Sequence, residues 1–211
     1  MRLQEGRGIP RKGEAVSLAA RNARSRSGKG KARAGRLLRG AGAGYLDDHA
    51  LGVAEFAARI ADQLRLPKRA RRTVIVGALL HDVGKLLVDA AILTKPGPLT
   101  PAERTKVNRH PVDGERLVRG AVGDEIVEVI RAHHERWDGA GYPQGLSADE
   151  IPLAARVVAV ADAFLAMLEQ RPYRPALSPQ AALDELLACA GSQFDPACVD
   201  ALVAAVAAPG S

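Results

Sequence analysis

The chain of 211 residues is long enough to bury one sizeable hydrophobic core, and its 47% hydrophobic and 26% charged residues are typical of a soluble globular protein. Its net charge of +6 is unevenly distributed: residues 1–44 carry 12 basic and 2 acidic side chains, whereas the remainder carries 18 and 22. The basic character therefore belongs to the amino-terminal segment, and it does not indicate that the folded part binds nucleic acid.

Residues 1–44 are rich in Gly, Ser and Arg and lack sustained apolar periodicity, so we expect a disordered tail or linker. This segment could contact anionic lipid or nucleic acid weakly, although a solvated linker is the simpler interpretation. No apolar run approaches the roughly 20 residues of a membrane span, and no signal peptide is evident. Cys189 and Cys198 lack a metal-like spacing and suit buried positions in a reducing compartment. We therefore expect a cytoplasmic protein.

From Tyr45 onward, apolar residues recur three and four positions apart, which predicts helices. Helices are expected over about 47–66, from Pro67 to about His81, from Thr100 towards His110, from Pro111, from Asp124 to about His134, over about 153–170, and after Ser178 and Asp195. Strand signals are absent. The sequence thus predicts a single all-α domain over residues 45–211, built from about seven or eight helices.

Ionisable side chains interrupt the apolar stripes of these helices, or lie at helix ends, at seven positions. These are His49, His81, Asp82, His110, His133, His134 and Asp162. One histidine on an apolar face is more often a hydrogen-bonded core residue than a ligand. Seven such groups together, two of them carboxylates, need a positive partner, and a divalent metal ion satisfies them most economically.

The spacing of these residues also favours metal binding. Adjacent His81 and Asp82 diverge by about 100° around a helix, so both can bind metal only near its end or if the aspartate bridges two ions. The pair His133 and His134 repeats this geometry. With single ligands from elsewhere, the set fits two ions about 3.5–4 Å apart. Imidazole and carboxylate ligands without thiolate favour Fe or Mn over structural zinc.

A series of motifs in fixed order resembles the HD-GYP branch of the HD phosphohydrolase superfamily. The motifs are "YLDDHALGVAEFAARIA", "HDVGK", "ILTKPGPLTPAE", "HPVDGERL", "HHERWDGAGYPQGL", "IPLAARVVAVADAF", "RPYR" and "GSQFDP". The resemblance covers about Tyr45 to Ala207. It implies an HD-type helical bundle with two or three metal ions, whose ligands are the seven residues above, with Asp82 as the bridge. It also implies hydrolysis of cyclic di-GMP to linear pGpG and, in some members, on to GMP.

The resemblance further implies which residues act on the substrate. His81, Asp82 and Lys85 would be catalytic, Lys85 lying near the scissile phosphate, and Arg171 and Arg174 would hold substrate phosphates. A water shared by two metal ions loses a proton near neutral pH and can attack phosphorus, while cations stabilise the developing charge. Lys85 at a helix end, and arginines that flank a proline, could equally be solvated.

Several positions depart from the family pattern. Tyr45 stands where members with a third metal carry glutamate, so we expect two ions. "LLVDA" follows Lys85 in place of the usual Gly-Ile-Pro-Asp, Gly52 replaces an arginine, and Leu165 replaces a second aspartate. These departures leave two alternatives open. One is a phosphohydrolase for another cyclic dinucleotide or a nucleotide, and the other is a catalytically weak module that binds cyclic di-GMP or a protein partner.

The glycine-rich loop Trp137–Pro143 is the candidate docking surface for such a partner. Trp137 and Tyr142 could stack on guanine, but anchoring the loop is the commoner role for such residues. Gly139 and Gly141 permit backbone conformations that other residues avoid. Glu135, just before the loop, could orient a ligand histidine or lie at an exposed helix end.

Overall fold

The computed structural model describes residues 43–170 and 175–207, with side chains from Asp48 onward. Nine α-helices lie in these ranges: α1 (Ala43–Gln63), α2 (Lys68–Leu80), α3 (Ala90–Leu93), α4 (Pro101–Val107), α5 (His110–Val118), α6 (Asp124–Ala132), α7 (Leu153–Leu168), α8 (Pro179–Ala188) and α9 (Pro196–Ala207). Two 3-10 helices span Val83–Leu87 and Ala148–Glu150. These residues form isolated bridges but no β-strand. The all-α prediction is confirmed, since α3 is a single turn and the other eight helices match the expected number.

Two predictions fall on residues beyond these ranges. The expected disordered tail lies outside the described residues up to position 42, and so do Arg171 and Arg174. A compact unit begins at Gly44, and α1 begins at Ala43.

The helix starts follow the signals in the sequence. At α4, the Thr100 hydroxyl accepts from the backbone N–H of Glu103, whose carboxylate accepts from the backbone N–H of Thr100. The Ser178 hydroxyl caps α8 in the same way, and the Asp195 carboxylate accepts a backbone N–H at the start of α9. A proline is the first residue of each of these helices, where its missing N–H costs no hydrogen bond. The predicted starts of all three helices are confirmed.

The hydrophobic core surrounds α7, which packs against α2, α6, α8 and α9. Fully or nearly fully buried residues of this helix include Val157, Val158, Val160, Ala161 and Phe164. A helix that is apolar on most faces belongs inside a bundle, and α1 adds further buried residues to the same cluster. No helix in the parts of the chain that the structure describes is long and apolar enough to cross a lipid bilayer.

A close contact between the first 3-10 helix and α5 positions the polar residues. A Cβ on Gly84 would collide with the carbonyl oxygen of His110 and lie 2.6 Å from the nitrogen of Gly114. Only glycine therefore fits at this position of "HDVGK". The close approach brings Asp82, two residues earlier, beside the first residue of α5.

Candidate metal centre

The seven predicted metal-site residues come from five separate parts of the bundle and converge. His81 and Asp82 directly follow α2, His110 begins α5, His133 and His134 directly follow α6, His49 lies on α1 and Asp162 on α7. The rings of His81, His110 and His133 are fully buried or nearly so. The helix was predicted to reach about His134, but α6 ends at Ala132, so His133 and His134 both directly follow the helix.

A first group consists of His49, His81 and Asp82, which each offer one ligand atom within 4.8 Å of the others. Asp162 adjoins it: its Oδ1 lies 3.0 Å from Nε2 of His49 and 4.0 Å from Nε2 of His81. Two ligand atoms that each bind one ion at about 2.1 Å, at right angles, are about 3 Å apart. The first group thus has the dimensions of a single metal site.

A second group consists of His110, His133 and His134, whose ligand atoms also lie within 4.8 Å of one another. The Nε2 atoms of His110 and His133 are 3.2 Å apart. The ring centroids of His133 and His134 are 4.1 Å apart. Three imidazoles at this spacing could hold a second ion.

The hydrogen bonds of three histidines fix which nitrogen faces the centre. In His81, His110 and His133, Nδ1 lies 2.7 Å from the carbonyl oxygen of the residue three positions earlier. A carbonyl oxygen can only accept, so Nδ1 carries the hydrogen and Nε2 of the neutral ring presents a lone pair. The Nε2 atoms of His110 and His133 therefore face each other without a hydrogen to share. A cation beside them satisfies both.

Two buried atoms near the centre also need a partner. Among the described residues, the buried side-chain nitrogen and oxygen atoms that make no hydrogen bond are Nε2 of His81 and Oδ1 of Asp82. Leaving a buried polar atom unpaired costs about 1–3 kcal/mol. Both atoms belong to the first group and both are ordinary metal donors. The residues present therefore fit a divalent ion.

Asp82 lies between the two groups. Its Oδ1 is 3.2 Å from Nε2 of His110, and its Oδ2 is 3.4 Å from Nε2 of His81. Burial alone would raise the pKa of this carboxyl group, but His81, His110 and Lys85 hold the pKa well below its usual value. The carboxylate is ionised and has one oxygen for each group.

Lys85 is in contact with Asp82. Its Nζ lies 2.6 Å from Oδ2 of Asp82, and 26% of its side chain is exposed. The ammonium group therefore lies at the boundary between the buried centre and solvent. Lys85 is paired with the site and is not a freely solvated residue at a helix end.

The other titratable groups of the centre respond to burial and to each other. Burial lowers the pKa of His49, but its hydrogen bonds to Asp162 and Glu169 outweigh burial and raise the pKa to about 9. The pKa of Asp162, which burial would raise, is lowered to about 2 chiefly by His49. Burial, assisted by His110, lowers the pKa of His134 to about 4. The centre thus combines ionised carboxylates with rings such as His134 that are neutral at pH 7.

Sequence reasoning missed one residue of the site, Glu169. Its Oε1 lies 3.0 Å from Nδ1 of His49, on the side of the ring away from Asp162. The signal that could have revealed it is its spacing, because Glu169 follows Asp162 by seven residues, which is two helical turns. Both carboxylates therefore reach the same histidine.

Both expectations for Glu135 are wrong. Its side chain is only 4% exposed, and it contacts none of the ligand histidines by a hydrogen bond. The carboxylate accepts from the backbone N–H groups of Gln144, Gly145 and Leu146 at 2.6, 3.1 and 3.1 Å. Glu135 thus ties down the far end of the glycine-rich loop.

The aromatic residues of the loop Trp137–Pro143 are packed against the protein. The Arg156 guanidinium lies over the Trp137 ring, 5.4 Å from its centroid. Tyr142 stacks on His134, with ring centroids 4.9 Å apart and an angle of 26° between the rings. A Cβ on Gly141 would lie 2.6 Å from Cα of Glu135, so the loop needs glycine there. The anchoring role expected for these residues is confirmed.

A comparison of the whole sequence with known protein families gives a result that agrees with this cluster of histidines and carboxylates. The profile of a protein family described as "HD domain" matches residues 8–198. The chain belongs to the HD domain family. Within that family, the curated relatives described next agree with the resemblance of the ordered motifs to the HD-GYP branch.

Curated relatives of this HD domain are bacterial phosphodiesterases. The cyclic di-GMP phosphodiesterase response regulator RpfG of Xanthomonas campestris is 44% identical over 154 residues, which cover 72% of this chain and 41% of the relative. The 3'3'-cGAMP-specific phosphodiesterase 3 of Vibrio cholerae is 38% identical over 159 residues, which cover 75% of this chain and 35% of the relative. The HD domain chain therefore spans less than half the length of these relatives.

A solved structure shares the fold of this HD domain. Bd1817, a HDG"Y"P protein from Bdellovibrio bacteriovorus, superposes with a TM-score of 0.62 at 19% sequence identity. The superposition covers 74% of this chain and 51% of that chain. At this identity the likeness concerns the fold alone.

Proposed function

We propose that this HD domain is a metal-dependent phosphodiesterase that hydrolyses cyclic di-GMP to the linear dinucleotide pGpG. The observation that carries the proposal is the pair of buried histidines, His110 and His133, whose Nε2 lone pairs face each other beside the ionised carboxylate of Asp82. Such an arrangement is costly without cations. The names of relatives at 44% and 35% identity support the choice of substrate.

The proposed centre holds two divalent ions, Fe or Mn. The group around His49 and His81 would hold one ion together with Asp162, and the group around His110 and His133 would hold the other together with His134. Asp82 would bridge them, which its two oxygens at 3.4 and 3.2 Å from the two groups support. Imidazole nitrogens and carboxylate oxygens without thiolate suit these metals.

The proposed reaction adds water across one phosphodiester bond: a P–O bond to water forms, the P–O bond to a ribose oxygen breaks, and that oxygen ends protonated. The two ions, when bound, supply an activated water and positive charge opposite the phosphate. His81 and Asp82 act as proposed catalytic residues by holding that site together. Lys85, whose Nζ is 2.6 Å from Asp82, supplies a cation for the phosphoryl oxygens at the edge of the centre.

Arg171 and Arg174 are proposed to hold the phosphates of the substrate. Glu169, two residues before Arg171, contacts His49, so the end of α7 lies beside the centre. A guanidinium group binds phosphate through two parallel hydrogen bonds, which suits this role. A cytoplasmic location belongs to the same proposal, and the free thiols of Cys189 and Cys198 support it.

The proposal is tested by anaerobic purification with Mn or Fe, followed by chromatography of cyclic di-GMP and its products. Wild-type protein should produce pGpG, and the double variant His81→Ala with Asp82→Ala should lose the activity. Asp200→Ala, at an exposed position on α9, serves as the control and should retain it. Absence of turnover in wild-type protein with metal confirmed bound would contradict the proposal.

A second candidate substrate is 3'3'-cGAMP, the substrate named for the Vibrio cholerae relative at 38% identity. The altered segment after Lys85 favours a difference in preference, because Leu86 and Leu87 are exposed there, at 48% and 60%. A panel of cyclic dinucleotides compared by kcat/KM decides between the two substrates. A binding module that does not hydrolyse would instead show tight binding without product. The packing of Trp137 and Tyr142 against the protein itself favours the enzyme over a docking loop.

A further inference from the structure

We infer that Glu169 is a positioning residue of the metal centre, which orients His49 and thereby sets the affinity of the ion held by the first group. The inference rests on the proposed function for the metal centre and goes beyond it, because Glu169 is not one of the proposed ligands. Its side chain lies on the outer side of His49, away from the centre.

The two ring nitrogens of His49 have different partners. Nδ1 lies 3.0 Å from Oε1 of Glu169, and Nε2 lies 3.0 Å from Oδ1 of Asp162. A hydrogen on Nδ1 that bonds to Glu169 leaves Nε2 free to bind an ion shared with Asp162. The carboxylate acceptor also makes the ring a stronger ligand, since it stabilises positive charge that the ring gains from the metal.

The position of His49 differs from that of the other three histidines. Histidines 81, 110 and 133 donate to carbonyl oxygens in the last turns of α2, α4 and α6, where the helix leaves carbonyl groups unpaired. His49 lies inside α1, where the preceding carbonyl groups already accept from the helix. Glu169 offers His49 a carboxylate acceptor from the end of α7.

Only the first group depends on Glu169 in this way. His110 and His133 of the second group keep their main-chain acceptors whatever stands at position 169. Replacing Glu169 should therefore lower the affinity for the ion of the first group and leave the affinity for the other ion unchanged. A general loss of packing would instead lower the affinity for both ions.

The test measures metal directly and needs no substrate. Wild type, Glu169→Ala and Glu169→Gln are loaded with Mn, dialysed against increasing chelator, and analysed for ions per chain. Glu169→Ala should lose one ion at a chelator concentration about 10–100-fold lower than wild type, which is the usual effect of removing a residue that orients a ligand. Glu169→Gln keeps an acceptor oxygen without the charge and should fall between the two.

Two controls separate positioning from a merely structural role. Glu128→Ala, at an exposed position on α6, should retain both ions as wild type does, and the metal-free melting temperatures show whether Glu169→Ala disturbs the fold itself. Glu169→Ala that keeps both ions like wild type would overturn the inference, and so would loss of both ions together. Neither result depends on cyclic di-GMP. If the protein does not hydrolyse cyclic di-GMP, the turnover assay shows this independently of the metal measurement.

Discussion

Leu165 fills the space that a side chain on Gly52 would need. Its Cδ2 lies 2.6 Å from the position of a Cβ on Gly52. Gly52 is one turn beyond His49 on α1, and Leu165 is one turn beyond Asp162 on α7. The resemblance noted in the sequence implies arginine and aspartate at these two positions. Two departures that are separate in the sequence therefore lie in contact with each other.

This contact predicts that the two positions are energetically coupled. Gly52→Arg alone should push Leu165 aside, and Leu165→Asp alone should leave a partly buried carboxylate without a partner. The double variant should be more stable than the sum of the two effects, by about 0.5–1 kcal/mol, as for a partly exposed ion pair. Urea unfolding of the four proteins, metal-free, measures this coupling. Effects that simply add would contradict it.

The close packing of the first 3-10 helix on α5 predicts a large effect at Gly84. Gly84→Ala places a Cβ against main-chain atoms of His110 and Gly114, which cannot rotate away. We expect a loss of about 3 kcal/mol in the free energy of unfolding, at the upper end for overpacking. Gly97→Ala is the matched control, because no atom lies within 4 Å of its Cβ position. A similar small effect for both variants would show that the packing is looser than described.

Glu135 should hold the end of the glycine-rich loop in place. Glu135→Ala removes the acceptor of three backbone N–H groups, those of Gln144, Gly145 and Leu146. Hydrogen bonds to a charged group contribute about 1.5–3 kcal/mol, so these amides should exchange with solvent about tenfold faster or more. Hydrogen exchange resolved by residue gives the answer, with Glu128→Ala for comparison. Unchanged exchange would mean that the loop is held by its aromatic contacts alone.

Metal binding should stabilise the fold, because it satisfies buried atoms that lack partners. At a free Mn concentration of about 100 times Kd, a single site gains about 2.7 kcal/mol, which is about 5–10 °C in melting temperature for a domain of this size. Mg should raise the melting temperature much less, since it prefers oxygen ligands over imidazole. Differential scanning calorimetry with each ion makes the comparison. Equal shifts with Mn and Mg would indicate a carboxylate site elsewhere.

The helix pattern and the seven polar positions could be predicted from the sequence, because apolar periodicity and capping residues act locally. Thr100 with Glu103, and Ser178 with the proline that follows, marked their helix starts correctly. The convergence of His49, on α1, with Asp162, on α7, could be expected only through the ordered motifs. Periodicity places each residue on a face but does not say which faces meet.

What the sequence did not reveal are contacts between distant positions. Glu135 precedes two aromatic residues and follows two histidines, so its neighbours suggested a metal-site role, whereas its partners lie about ten residues later in the chain. Glu169 reaches His49 across 120 positions. The Gly52 and Leu165 contact likewise depends on how α1 and α7 pack. Tertiary packing decides such pairs, and no local pattern reports them.

The most direct test of the central claim is one experiment that counts metal ions per chain and identifies the product formed from cyclic di-GMP. The protein is purified anaerobically with Mn or Fe, its metal content is determined, and the same sample is incubated with the substrate. The account predicts two ions per chain and release of linear pGpG. Two bound ions with cyclic di-GMP left intact would contradict it.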